Sequence, residues 1–167
     1  MSEGLAERVI RSTNWSELAE ANGPASEIGA SLELLLSAAT PEDATSAYWK
    51  LENHVVVQGE LFESAEQAVA VVVAAFADSR PRHVRISMLE LLYQILRGLP
   101  SPCEIERGNA DLLARCRART LEGLWLLVHE AMTGEHEAAM DVLELVLDGD
   151  RIAVVRLLTQ MGDGASP

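Results

Sequence analysis

Apolar and polar positions alternate with a helical period through most of the chain, most clearly from Ser64 to Gly98. In the first half of this stretch, apolar side chains recur on one helix face and alanines cover most of the remaining circumference. In the second half, large apolar side chains leave only one narrow polar stripe: Ser87, Glu90, Gln94 and Arg97. The pattern predicts two helices that are stable only when other helices cover them.

The ends of these two helices are marked by residues with known preferences. Ser64 and Gln67 are spaced as a capping box at the start of the first helix. Pro81 ends that helix, and Gly98 ends the second one. The β-branched run at residues 71–73 favours a buried strand instead, and this alternative stays open.

Similar patterns on both sides of this pair predict further helices. The longest loop is expected at residues 99–108, which contain Pro100, Pro102 and Gly108. A second β-branched run at residues 55–57 makes a break near Asn53 and His54 possible in an otherwise long helix. The expected fold is all-α with about seven to nine helices, and those outside the central pair cover residues 1–13, 14–24, 25–38, 41–63, 109–132, 136–147 and 150–161.

The central pair resembles a HEAT repeat. The matching residues are Asp78 at the end of the first helix and Val84-Arg85 at the start of the second. The resemblance covers about 35 residues well and the flanking chain loosely. It implies a short right-handed α-solenoid of antiparallel helix pairs, in which Asp78 and Arg85 are structural and pair with each other. It describes a shape and not an activity.

On this reading the chain is a single domain over residues 1–163. A leucine-glutamate-leucine pattern recurs at Leu32, Leu89 and Leu143, which indicates periodicity, although chance recurrence explains it equally well. Terminal repeats need caps because they have a neighbour on one side only. The expected parts are capping helices at 1–24, helix pairs at 25–63, 64–98 and 109–147, a capping helix at 150–161, and a frayed tail at 164–167.

Composition narrows the classes of partner. Hydrophobic residues make up 49% of the chain and aromatic residues only 4%, which is typical of a helical core of leucine, valine and alanine. The net charge of −13 argues against nucleic acid and is compatible with a basic protein partner. Two cysteines without a signal peptide indicate reduced thiols in the cytoplasm. No apolar run is long enough to span a membrane.

The chain carries no known catalytic motif, so we predict no catalytic residue, no cofactor and no metal. The densest group of potential metal ligands runs from His129 to Glu137, but its spacing fits solvated helix ends better than a zinc site. Lys50 reads as a surface lysine, and Cys116 as a small core residue. Whether the protein is an enzyme stays uncertain, leaning towards a non-enzyme.

Charge is unevenly distributed along the chain. Residues 79–119 hold eight arginines and four acids, whereas the other segments hold five basic and 22 acidic residues. One interpretation is that the arginines pair with acids of adjacent repeats. The other is a partner-binding surface with a basic and an acidic part, whose candidate residues are Arg80, Arg82, His83, Arg107, Glu130, Glu135, Glu137 and Asp141.

Three functions compete at this point. The first is a non-catalytic protein-protein interaction module, either a scaffold or adaptor or an immunity-type inhibitor of a basic protein. The second is an enzyme or small-ligand protein that uses a solenoid cleft. The third is a homo-oligomeric structural unit, joined through apolar helices at Leu5-Val9 and Ile152-Leu158. The candidate cleft of the second function holds Tyr48, Trp49, Glu52 and His54.

Overall fold

The computed structural model of this chain describes residues 4–163. Within that range the protein is mostly helical, with small sheets. The ten α-helices are α1 (Leu5–Ser12), α2 (Ile28–Leu36), α3 (Pro41–Val55), α4 (Ser64–Ala75), α5 (Arg82–Arg97), α6 (Pro102–Glu106), α7 (Leu112–Glu122), α8 (Leu124–Thr133), α9 (His136–Val146) and α10 (Arg151–Asp163). The strands, of two residues each, are β1 (Ala19–Glu20), β2 (Gly23–Pro24), β3 (Val56–Val57), β4 (Glu60–Leu61) and β5 (Leu99–Pro100).

The helices form two rows. In the first row α4 packs between α1 and α7, and in the second row α5 packs between α3 and α9. Helix α2 packs on α3, α8 packs on α9, and α10 packs on both α8 and α9. The core lies between the rows, where α4 and α5 contribute more fully buried side chains than any other two helices, including Val72, Leu89 and Leu92.

The three helices of the second row run in the same direction. The His83 Nε2–H at the start of α5 donates to the Ala38 carbonyl, 2.9 Å away and just before α3. Beside it, Arg82 donates to the carboxylate of Glu135, which immediately precedes α9. The N-terminal ends of α3, α5 and α9 therefore lie together.

Two of the expected helix starts are confirmed. The Thr40 hydroxyl accepts a hydrogen bond from the Asp43 amide at 3.1 Å, with Pro41 in the first turn of α3. The Asp150 carboxylate accepts one from the Ala153 amide at 2.9 Å and so caps α10. In the central pair, α4 begins at Ser64 and α5 ends at Arg97 before Gly98, as expected, although α4 already ends at Ala75 and α5 begins at Arg82. The valine run at residues 71–73 is helical.

The helix expected to extend to residue 63 ends at Val55. The chain then forms the antiparallel hairpin β3–β4, and β5 adds to β4 in parallel. The turn places Gln58 and Gly59 at φ 53° and φ 82°, a conformation that favours a tight hairpin. The β-branched run at residues 55–57 thus ends the helix, as the alternative interpretation allowed.

The helix expected over residues 109–132 is two helices, α7 and α8, divided at Gly123. A Cβ atom at position 123 would lie only 2.0 Å from Val73 Cγ1 on α4. Glycine therefore allows the close approach of α4 to the junction of α7 and α8. The break accounts for one of the helices beyond the expected number.

Three smaller expectations also differ from the structure. Residues 14–24 hold one 3₁₀ turn (Trp15–Glu17) and the hairpin β1–β2 instead of a capping helix. The loop expected at residues 99–108 contains β5 and α6. The hydroxyl of Ser64 is buried without a hydrogen-bond partner among the described residues, so the capping box does not form.

Candidate functional site

The predicted basic patch does not form one surface. Arg80 to His83 lie at the start of α5, whereas Arg107 follows α6, beyond the far end of α5. With 16 residues, α5 is about 24 Å long, so Arg107 cannot join the other three residues in one contact. The structure therefore divides the predicted patch between two ends of the molecule.

Arg80 ties secondary-structure elements together. Its side chain is only 14% exposed and donates to Glu7 at 2.8 Å, to Asp78 at 3.3 Å and to the Leu36 carbonyl at 3.3 Å. These contacts connect α1, the end of α2 and the end of α4. Because all three acceptors belong to this chain, Arg80 is a structural residue and is not available to a partner.

The other basic candidates also have partners within the chain. His83 donates to the Ala38 carbonyl, and Arg107 donates to the buried Glu104 at 3.1 Å. Arg82 forms a bidentate salt bridge with Glu135, in which its Nε and Nη2 atoms donate to the two carboxylate oxygens at 2.6 and 3.0 Å. These hydrogen bonds hold the pKa of Glu135 below its ordinary value and raise the pKa of Arg82.

The resemblance implied that Arg85 pairs with Asp78, but the structure gives the two residues different partners. Asp78 contacts Arg80, whereas Arg85 lies 3.5 Å from Glu130 at the end of α8 and 3.9 Å from Glu135. Glu130 is nearly buried and also accepts a hydrogen bond from the Glu135 amide at 2.9 Å. Of the four acidic candidates, Glu130 and Glu135 are therefore structural.

The four residues of the predicted cleft point to different places. Tyr48 is buried beneath α5, and Trp49 beside it is 52% exposed, with the two rings at 5.2 Å in an edge-to-face contact. His54 lies on the other side of α3, where Nδ1 contacts the Glu20 carboxylate. These residues do not enclose one cavity.

One open cavity lies along the seam of α2 and α3. It has a volume of about 360 Å³ and is lined by His54 and Lys50 together with apolar side chains such as Ile28 and Leu34. A second cavity of about 490 Å³ lies between the hairpin β1–β2 and α6. Of the four cleft residues, only His54 lines either cavity, so the cleft is not a site in the predicted form.

The outward side of α3, α5 and α9 carries several acidic side chains. Apart from the partly buried Glu52, these acids are exposed and lie opposite the buried side chains of their helices. No described lysine or arginine forms an ion pair with any of them. We call this surface the acidic face, and its residues are Glu42, Glu52, Glu90, Glu137 and Asp141.

Tyr48 connects the acids of α3 with those of α5. Burial, and to a lesser extent the negative charges of Glu90 and Glu52, raise the pKa of Tyr48 to about 12. Glu52 is on α3 and Glu90 is on α5, so both helices place a carboxylate near the same phenol. Both helices therefore contribute negative charge near Tyr48, and the neighbouring Trp49 ring on α3 is exposed.

The sequence prediction included Glu52, Glu137 and Asp141 but missed Glu42 and Glu90 as binding candidates. A usable signal was present for Glu90. The positions three and four residues away on α5 hold Ser87, Ile86, Tyr93 and Gln94, so no arginine or lysine of its own helix is within reach.

The two cysteines differ in burial. Burial raises the pKa of the Cys116 thiol to about 12, which makes its thiolate scarce at neutral pH. Cys103 is exposed and unpaired. Residues 4–163 contain no group of three or more potential metal ligands. None of the helices in that range is both long and apolar enough to cross a membrane.

No protein-family model, curated protein or solved structure matches this chain.

Proposed function

We propose that this protein is a non-catalytic interaction module, a short HEAT-like α-solenoid that binds a basic protein through its acidic face. The observation that carries the proposal is the set of exposed acids on α3, α5 and α9 that have no cationic partner among the described side chains. The solenoid fold, the binding surface and the class of partner are each supported by a separate observation.

The solenoid is supported by the order of the helices. The pairs α2–α3, α4–α5 and α7/α8–α9 follow one another along the chain, and the second helices of these pairs lie side by side in one direction. Repetition of one helix pair with a constant direction is the organisation of a helical repeat protein. Helix α1 precedes this series and α10 follows it, in the positions of caps.

The Arg85 contact gives further support. Arg85 at the start of the second helix of one pair reaches Glu130 at the end of the first-helix segment of the next pair. Neighbouring repeats of a HEAT solenoid are tied in this manner, by an arginine and an acid near the turn. The acid belongs to the following repeat and not to the repeat of Arg85 itself.

A basic partner is the class that the acidic face fits. Unpaired carboxylates attract an oppositely charged surface over a distance and speed its association. Trp49 supplies a large flat side chain on the same face, and tryptophan is among the residues that contribute most to binding when a partner covers it. The carboxylates would speed the association of a basic partner, and Trp49 would add binding energy once the partner covers it.

The experiment compares two variants with the same change in net charge. The face variant replaces Glu90, Glu137 and Asp141 with glutamine, glutamine and asparagine. The matched control replaces Glu27, Glu60 and Glu106, all exposed and outside the acidic face, with glutamine. Wild type and both variants are purified from the host at low salt, and native mass spectrometry records the proteins that stay bound.

We expect a basic protein to co-purify with the wild type and the control but not with the face variant, and to dissociate at high salt. Equal loss from the face variant and the control would show an attraction to net charge alone and would contradict the proposal. A retained small molecule in place of a protein would favour the cleft hypothesis.

A further inference from the structure

Helices α3 and α5 bring an exposed tryptophan and an acid to the same level of the acidic face. The two helices pack side by side in one direction, and the His83 hydrogen bond holds their N-terminal ends together. Trp49 is the eighth residue after Pro41, the first residue of α3. Glu90 is likewise the eighth residue after Arg82, the first residue of α5. Eight residues rise by about 12 Å in an α-helix, so the two positions lie beside each other.

Tyr48 and Glu52 complete this group of side chains. Glu52 follows Tyr48 by four residues and Trp49 by three, which places its carboxylate between the two rings on the surface of α3. The ring centroids are 5.2 Å apart. Glu52 and Glu90 both raise the pKa of Tyr48, so carboxylates of two helices lie near one phenol. We call these four residues, Tyr48, Trp49, Glu52 and Glu90, the α3–α5 site.

The polar groups of the α3–α5 site are free to form further hydrogen bonds. The Glu52 carboxylate has no hydrogen bond or ion pair within the described residues, and Glu90 accepts one hydrogen bond, from the uncharged Gln94 amide at 2.8 Å. Tyr48 is nine-tenths buried, yet its hydroxyl has no hydrogen-bond partner in the described part of the chain. The hydroxyl oxygen is not fully enclosed either. Because buried polar side chains normally have a partner, this hydroxyl marks a place for a bound group.

Two cations on the same helices leave the site negatively charged. Arg97 stacks on the Tyr93 ring at 5.1 Å and donates to its hydroxyl at 3.2 Å, but it forms no ion pair with the carboxylates of the site. Lys50 lines the cavities along the seam of α2 and α3, on the other side of α3. The site therefore attracts a further cation.

We propose that the α3–α5 site receives an arginine side chain of the basic partner and binds arginine more tightly than lysine. This proposal rests on the proposed function and names the group that the acidic face recognises. The planar guanidinium stacks on the Trp49 ring, and its N–H groups donate to the two carboxylates and to the Tyr48 oxygen. The ammonium of lysine is a compact, strongly hydrated charge without a plane that could stack on the ring.

Two peptides of equal length and charge test the preference: hexa-arginine and hexa-lysine, both acetylated and amidated. Isothermal titration calorimetry at low salt gives the dissociation constant of each peptide. Because a guanidinium also pairs with carboxylates elsewhere on the surface, the readout is the ratio of the two constants in wild type and variants. We expect the preference for hexa-arginine to fall about two- to fivefold in Trp49→Leu, the range for a cation on an exposed aromatic ring. The matched control is Trp125→Leu, which removes an exposed tryptophan from α8 and should leave the ratio unchanged.

Two further variants test the polar contacts. Glu52→Gln should weaken the binding of hexa-arginine more than Glu27→Gln, which removes the same charge from an exposed position outside the acidic face. Tyr48→Phe keeps the ring and removes only the hydroxyl, and it should lower the preference for arginine. Circular dichroism confirms that all variants are folded.

The outcomes distinguish this proposal from the proposed function. Equal binding of both peptides by the wild type, or an equal ratio in Trp49→Leu and Trp125→Leu, overturns the arginine site. In that case the acidic face remains the docking surface if the variant of Glu90, Glu137 and Asp141 binds both peptides more weakly than its matched control. Equal binding by that variant and its control overturns both proposals.

Discussion

The two helix rows differ in the ion pairing of their acidic side chains. In the row of α1, α4 and α7, the acids have arginine partners: Glu7 pairs with Arg80, and Glu66 lies 3.3 Å from both Arg115 and Arg119. In the row of α3, α5 and α9, the outward acids have no such partner among the described side chains. The acids of the first row form ion pairs within the molecule, whereas the outward acids of the second row are open to contact with a partner.

The difference separates two roles that net charge alone cannot distinguish. An ion pair that joins two elements stabilises the fold, and removing one member leaves the other without its partner. An unpaired surface acid contributes little to stability and repels its acidic neighbours. Substitutions on the two rows should therefore affect different measurements.

The largest loss of stability should follow from Arg80→Ala. The substitution leaves Glu7, Asp78 and the Leu36 carbonyl without a shared donor, and hydrogen bonds to charged groups at partly buried sites are worth about 2 kcal/mol. We expect a lower denaturant midpoint in urea unfolding. The matched control is Arg82→Ala, whose side chain is 72% exposed and should matter much less. A larger loss for Arg82→Ala would contradict this ranking.

An intermediate effect is expected in the titration of Tyr48. Its pKa of about 12 is caused by burial first and by the charges of Glu90 and Glu52 second, so Glu90→Gln should lower the titration midpoint. The phenol is neutral in the fold at pH 10, and its stabilising contribution is lost as the pH rises towards 12. Absorbance at high pH follows the ionisation.

Two controls make this titration specific. Tyr48→Phe identifies the signal of Tyr48 against that of Tyr93. Glu66→Gln removes an acid of the other row and should leave the Tyr48 midpoint unchanged. An unchanged midpoint in Glu90→Gln would show that α3 and α5 do not form one continuous acidic face.

The smallest effect on stability should come from the acidic face itself. Glu137→Gln and Asp141→Asn each remove an exposed charge that has no ion-pair partner among the described residues. Such surface changes usually alter the free energy of unfolding by less than about 0.5 kcal/mol. Urea unfolding should therefore barely change. A loss comparable with that of Arg80→Ala would mean that these acids have a structural role.

Local sequence was enough to predict the helices whose ends carry their own signals. The starts of α3 and α10 have Thr40 and Asp150 as caps, and the bounds of α4 and α5 follow their apolar period. The division at Gly123 was missed because the glycine there is required by a contact with Val73, a residue fifty positions away on another helix. The hairpin β3–β4 was only an alternative, since the valines at 55–57 fit both a helix and a strand.

The candidate site was harder to predict, because ion pairing depends on contacts between distant parts of the chain. Arg80 and Glu137 are both charged residues near helix ends, and both were predicted from the sequence as binding candidates. Only the fold shows that Glu7 meets Arg80 and that no described cation meets Glu137. The predicted partner of Arg85 was wrong for the same reason, since its actual partner Glu130 lies 45 positions from it in the sequence.

The shared direction of α3, α5 and α9 gives the second row an electrical polarity. Each α-helix behaves as a dipole with its positive pole at the N-terminus, and three parallel dipoles add. Glu42, Asp43 and Glu137 lie in the first turns of α3 and α9 and compensate the positive pole. The opposite pole of the dipoles is negative, so the electric field of the second row has a direction as well as a net charge.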